Sequence, residues 1–269
     1  MWTIDFISEE DFYKHVTKTI EHYGAKLKPI DVKSFNSNII DPIKMIFDKS
    51  VYGHSWKQII DSEIFRQRDK GNANEIGYFH QLIFSYMDGC YVPPNGKDGG
   101  WDVIIDKPGG YSIDDRNYVH KIYVELKNKH NTMNSASASK TYIKCQDQLL
   151  KDDDCACFLA EAIAKKSQNI PWTTTVDGRR VHHSRIRRVS LDNLYEIVTG
   201  EPDAFYQICM VLPGVIDRIL QTRDAVTMPH DTVYEELLQM TKDSSKTADA
   251  AMIMAIYLLG FSTYKGFRH

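Results

Sequence analysis

Apolar positions recur at helical spacing through most of the first ninety residues. Ser8-Glu9-Glu10-Asp11 reads as an N-cap with an acidic first turn, and Phe12, Val16, Ile20 and Tyr23 follow it as far as Gly24. Ile39, Ile43, Ile46 and Phe47 predict a second helix, and Trp56, Ile59, Ile60 and Ile64 a third over 55–68. A fourth, over 74–87, has an apolar stripe of Phe79, Leu82, Ile83 and Tyr86. Glu75 continues that stripe backward, which puts an acid on the face that turns inward.

The period changes after residue 90. The Pro- and Gly-rich stretch 93–100 is a loop, and Trp101 to Asp106 is a short strand that Pro108-Gly109-Gly110 should end. A polar turn at 114–117 leads into 118–127, rich in β-branched and aromatic residues and therefore a strand. A helix over 134–150 follows, then an apolar strand over 155–163 buried on both faces, and a last strand over 185–189. Helices over 190–200, 204–220, 232–240 and 248–259 complete the pattern. The fold class expected is α/β, with a mixed central β-sheet and helical N- and C-terminal additions. No linker or repeat divides the chain. The organisation expected is a single domain over 1–269, with a helical region over 1–90, an α/β core over 91–190 and a helical region over 191–269.

Charge adds a second layer. The net charge of −3 conceals a balance of +4 over 120–151 and +6 over 165–188, so the remaining residues carry −13. Two solvated faces would produce such segregation; so would a basic cleft for a polyanion on an acidic body. No apolar run approaches the length of a membrane span, and the start of the chain lacks a signal-peptide pattern, so we expect a soluble, cytoplasmic protein. Five cysteines at irregular spacing fit reduced thiols, and Cys155-Ala156-Cys157 lies in an apolar run.

The residue types that carry chemistry sit in the two central strands. Asp102 lies in the first, and Glu125 and Lys127 lie two apart near the end of the second, on one face by the period of two. If those strands pair, two carboxylates and an ammonium converge. Oxygen donors of this kind suit Mg2+, which shares its shell with phosphate oxygens and water, and a phosphodiester is the natural substrate. Asp98 and Asp106 are rival acids that read as turn residues. No P-loop, dinucleotide-binding glycine motif or nucleophile elbow is present.

Gly100-Trp101-Asp102 followed by Val124-Glu125-Leu126-Lys127 resembles the PD-(D/E)XK nuclease signature, with Trp101 in place of the proline. The stretches 35–44, 125–135 and 163–171 are similar to type II restriction endonucleases that cut GGNCC-like sites. The resemblance implies Mg2+-dependent cleavage of both strands of duplex DNA at a short palindrome. It implies Asp102, Glu125 and Leu126 as the metal set, Lys127 as the residue that positions the attacking water, and Glu75 as a further acid from the preceding helix. It also implies a DNA methyltransferase in the same cell. A palindrome is met by a two-fold dimer, so a homodimer is expected.

DNA contacts are expected from the polar residues that follow the motif: Asn128, Lys129, Asn131, Asn134, Ser135, Lys140 and Lys144. A second group, Lys165, Lys166, Gln168 and Asn169, leaves the buried strand, and Arg185 and Arg187 lie in the second basic segment. Lysine or arginine is the usual reader of guanine edges. The rival readings are a repair or junction nuclease with the same centre and no sequence reading, and a DNA-binding protein without catalysis.

Overall fold

The structure is a computed structural model that describes residues 2–25, 27–223, 228–242 and 244–267. In chain order its elements are α1 (Glu9–Ala25), α2 (Val32–Ser37), α3 (Pro42–Tyr52), α4 (Trp56–Leu82), β1 (Cys90–Tyr91), β2 (Val103–Ser112), β3 (Tyr118–Lys129), α5 (Ser135–Lys151), β4 (Cys155–Ile163), β5 (Asn169–Pro171), β6 (Thr174–Val176), β7 (Arg179–Val181), β8 (Ile186–Ser190), α6 (Leu191–Thr199), α7 (Ala204–Gln221), α8 (Val233–Thr241) and α9 (Ala248–Phe261). Short 3-10 turns lie at Ile83–Tyr86 and Asp98–Gly100. The chain divides into two compact units, Met1–Glu21 with Glu75–Asp224 and His22–Asn74 with Ala225–His269, interleaved in sequence.

The first unit is built on a mixed sheet of order β1-β2-β3-β4-β8-β5. β1, β2 and β3 are antiparallel, β3, β4 and β8 run parallel, and β5 returns antiparallel to β8. This is the mixed α/β architecture expected. β4 is the chain's most apolar strand, and every residue from Cys155 to Glu161 is buried. One face of the sheet (Val103, Ile105, Ile122, Val124, Phe158, Ala160, Val189) packs on Phe12 and Val16 of α1, Leu194 of α6 and Ile208 of α7. The other face is covered by α5, whose Tyr142 and Cys145 meet Trp101, Cys157, Leu159 and Ile186. The five cysteines are free thiols.

The second unit has its own core of Phe35, Met45, Trp56, Ile60, Val233, Leu237 and Ile256, among others. Arg68 is paired there with Asp231, which also accepts the Ile30 amide. No helix among the described residues is long and apolar enough to cross a membrane.

Three expectations need correction. The helices expected over 55–68 and 74–87 are one helix, α4, closed by a 3-10 turn. Gly71 lies inside α4, and a glycine inside a helix costs only about 1 kcal/mol. Gly77 has a packing reason to be there, since a Cβ on it would lie 3.3 Å from the Asn128 side-chain oxygen. Second, Pro108-Gly109-Gly110 do not end β2. They form an irregularity between Asp106 and Tyr111, beyond the two-residue partner β1, where proline removes no ladder bond. Gly110 has φ +64°, and a Cβ there would lie 2.8 Å from the Val119 carbonyl. Third, α3 forms, but Ile43 and Phe47 face outward together with Ile39, while Met45 and Ile40 are buried.

Two imidazoles, the buried His15 and the half-buried His80, give this fold a pH dependence. His15 is 3% exposed and donates from Nε2 to the Phe79 carbonyl at 2.9 Å. Burial pushes its pKa down to about 4, against the opposing effect of that bond, and burial also pushes His80 to about 4. Both folded values lie below the ordinary value of 6.5, so the unfolded chain takes up protons first. Stability is therefore full above pH 6.5 and is lost as the pH falls from 6.5 through 4. We predict a fall of about 3 kcal/mol per histidine over that window, read as the urea midpoint at pH 7 and pH 4.5. His15→Gln should remove its share, and an unchanged pH dependence in that variant would refute the assignment.

Candidate active site

Asp102 is the residue before β2, and β3 holds it in place. Its amide donates to the Val124 carbonyl at 2.9 Å, and its Oδ2 accepts the Leu126 amide at 2.7 Å. Gln81, near the end of α4, donates to its carbonyl at 3.1 Å. Glu125 and Lys127 stand on the β3 face opposite the buried Val124 and Leu126. Lys127 Nζ is 2.7 Å from Glu125 Oε1. The pairing of Val103 with Val124 thus brings Asp102, Glu125 and Lys127 to one end of the β2–β3 ladder.

Lys144, expected on a DNA-facing row, is found inside this centre instead. Its Nζ is 2.8 Å from Glu125 Oε2, 2.8 Å from the Gly100 carbonyl and 3.9 Å from the Trp101 ring centroid. One carboxylate is therefore clamped by two ammonium groups, one on each oxygen.

The two acids are perturbed in opposite directions. Burial pushes the Asp102 carboxyl up, with Glu125 adding to the rise, against the Leu126 amide bond and the two lysines. Burial would raise Glu125 too, but the bonds from Lys127 and Lys144 outweigh it and hold the carboxyl below its usual range. Such divergence between neighbouring carboxyls is a mark of functional sites.

The donors fit a hard cation. Asp102 Oδ1 and the two Glu125 oxygens, each of which accepts from one lysine, are the carboxylate atoms of the centre, and the buried Leu126 side chain leaves only that residue's backbone. Among the described residues no group of three or more His, Cys, Asp or Glu is placed to hold a metal. Two carboxylates with water and phosphate are the set that magnesium takes. Glu75 is buried on α4, two residues before Gly77, which packs on Asn128. Asp98 and Asp106 lie apart from the centre: Asp98 accepts from Tyr91, and Asp106 pairs with Lys121.

Glu161 is the acid that sequence reasoning missed. It is 2% exposed, stands in register with Lys127 across the β3–β4 pair, and bonds Arg188 and His130. Arg188 is also 2.6 Å from His130 Nδ1. An acid near the end of an otherwise apolar buried strand is costly unless paired, and that was a usable signal. Lys144 gave a weaker one, two residues from the buried Tyr142 on α5.

The residues expected to meet DNA divide into three groups. Lys129, Asn131, Asn134, Ser135, Lys140, Lys165 and Lys166 are exposed on segments that leave β3 and β4 at the Lys127 end or on the first turns of α5, while Asn128 and Gln168 are half-buried. Asn134 also caps α5, its side chain accepting from the Ser137 amide at 2.8 Å. Asn169, Arg185 and Arg187 are corrected. Arg187 is 3% exposed and its guanidinium is spent on Asp114, on Asn169 and on the Ser184 carbonyl. The Asn169 amide accepts from Arg187 and donates to Ile113 O at 2.9 Å. Arg185 binds the Asp153 and Cys155 carbonyls at the opposite end of the sheet from Lys127.

The sequence matches the Eco47II restriction endonuclease family over residues 4–221. The chain belongs to that family. It is 29% identical to the type II restriction enzyme Sau96I of Staphylococcus aureus over 262 residues, 94% of this chain and 95% of that one. It is 30% identical to the type II restriction enzyme Eco47II of Escherichia coli over 233 residues, 83% of this chain and 90% of that one. Membership makes this Eco47II-family protein a site-specific deoxyribonuclease of a restriction system, with DNA as its partner, and sets aside the repair and non-catalytic readings. Enzymes of this type generally use divalent metal ions, in keeping with the hard-cation donors.

Proposed function

We propose that this endonuclease depends on Mg2+ and cuts both strands of duplex DNA at a short palindromic, GGNCC-like site. We read residues 1–269 as one endonuclease domain acting as a homodimer in the cytoplasm, in a cell that carries a matching methyltransferase. The observation that carries the reading is the meeting of Asp102, Glu125 and Lys127 at one end of the β2–β3 pair. The GGNCC-like site rests on the resemblance of 35–44, 125–135 and 163–171.

Asp102, Glu125 and the Leu126 backbone would hold the ion. When bound, it supplies neutralising charge at the scissile phosphate and lowers the pKa of water beside it. Lys127 then orients the attacking water from its place two residues beyond Glu125. Glu75 is a further acid of the centre in this reading. Asn128, Lys129, Asn131, Asn134, Ser135, Lys140, Lys165, Lys166 and Gln168 make the DNA contacts, the exposed lysines chiefly to phosphate.

Digestion of one sequenced viral genome, followed by sequencing of the ends, tests the proposal. With Mg2+ we predict cuts at one recurring interrupted palindrome, and none with the metal chelated. Cuts at an unrelated palindrome would refute the site, and undiminished cutting with the metal removed would refute the cofactor.

A further inference from the structure

Lys144 makes three contacts, and together they tie the two halves of the centre. Its Nζ donates to Glu125 Oε2 on β3 and to the Gly100 carbonyl, and it lies over the ring of Trp101. Gly100 and Trp101 are the two residues before Asp102, so one ammonium spans the segment that carries one acid and the strand that carries the other. Each end of this tie is itself held. Trp101 is 3% exposed, packs with Tyr142, Cys145 and Leu159, and has its indole 3.4 Å from Gln148 Oε1. Lys144 springs from the same turn of α5 as Tyr142 and Cys145, which are fully buried, so its stem starts from a fixed point.

Lys127 differs. Among the described residues its ammonium has a single partner, Glu125 Oε1. A cation held by Glu125 would compete with both lysines, and the lysine with one contact would give way more readily than the lysine with three. The two lysines are therefore held unequally: Lys127 by one contact, able to turn toward an attacking water, and Lys144 by three. A lysine that serves the DNA backbone needs a free ammonium, whereas that of Lys144 is engaged on three sides.

We propose that Lys144 is a positioning residue, which fixes the Glu125 carboxylate against the Gly100-Trp101-Asp102 segment and so sets the separation of the two acids, and that it makes no DNA phosphate contact. The proposal rests on Asp102 and Glu125 being the catalytic acids.

The test compares the full-length wild type with Lys144→Met and Lys144→Arg. Single-turnover cleavage is measured at saturating DNA and Mg2+, and DNA affinity is measured against KCl concentration with Ca2+ in place of Mg2+. Loss of a group that orients a metal ligand typically costs 10–100-fold. Lys144→Met should lower the single-turnover rate by about that factor, with DNA affinity unchanged within about twofold and the salt dependence unaltered. Arginine can donate to both oxygens and lie over the indole, so Lys144→Arg should recover to within about fivefold of the wild type. A rate that does not change in Lys144→Met overturns the proposal. So does weakened binding with a salt slope shallower by about 1, the signature of a lost phosphate contact. Should Lys144→Met fail to fold, Lys144→Gln, which donates without charge, takes its place under the same criteria. Asp102→Asn is the separate control: if it cleaves at the wild-type rate, the assignment of the centre fails, whatever Lys144 does.

Discussion

Lys127→Ala lowers the cleavage rate by about a thousandfold, the effect expected from removing a positioned proton-handling or charge-stabilising group. The variant should fold, because Glu125 keeps its second partner in Lys144. Asp102→Asn is expected to lose as much for a different reason. Its side-chain oxygen can still accept the Leu126 amide, so the link to β3 survives while the negative charge is lost. DNA binding in the absence of metal should then tighten, since one charge that repels phosphate is gone. Rates come from single-turnover assays and affinities from titration of uncleaved duplex. A Lys127→Ala rate within tenfold of the wild type would remove this residue from the chemistry.

The largest effect on stability belongs to Asp114, far from that centre. Asp114 accepts the amides of Arg116 and Asn117, which shapes the turn between β2 and β3, and it is the counter-charge of Arg187. The Arg187 side chain is only 4% exposed, so losing its partner leaves a charge buried without compensation. Asp114→Ala should cost about 3–5 kcal/mol, seen as a lower urea midpoint with an unchanged slope. Asp114→Asn keeps acceptors for the turn and should cost less. Burial pulls the Asp114 carboxyl upward, but the Arg116 and Asn117 groups and Arg187 outweigh it and hold the pKa below the usual range. A carboxyl depressed in the folded state stabilises the fold above its unfolded pKa near 4, and that contribution is lost as the pH falls further. Acid should therefore lower the stability over two overlapping pH ranges, that of the imidazoles first and that of Asp114 below it. If Asp114→Ala keeps the wild-type midpoint, the Arg187 pair is structurally idle.

Much of this arrangement was legible in the sequence because long elements repeat their signal. β3, β4 and α5 to α9 each show many periods, and the two-residue spacing of Glu125 and Lys127 survived directly into geometry. β1, β5, β6 and β7 are two or three residues long and half-exposed, too short for periodicity to register. α4 was read as two helices because the apolar stripe lapses between Ile64 and Phe79, and the contact of Gly77 with Asn128 is made with a residue fifty-one positions away. The same limit explains Lys144 and Arg187. Both lie in basic segments, and charge pattern alone sends them toward DNA. What redirects them is a partner distant in sequence, Glu125 for one and Asp114 for the other. Net charge describes a segment, whereas availability depends on what each cation has already neutralised.

β3, β4 and β8 advance in the same direction, so the stretches 130–134 and 164–168 surface on the rim that holds Lys127, and the Asp114 turn and Arg185 occupy the other rim. On the proposed reading, hydrolysis and target choice fall to different pieces of chain on a common edge, one anchored in strands and one in connections. If that reading holds, a lineage built on this plan would rewrite which bases it reads by exchanging those connections, leaving the cutting apparatus inherited and intact.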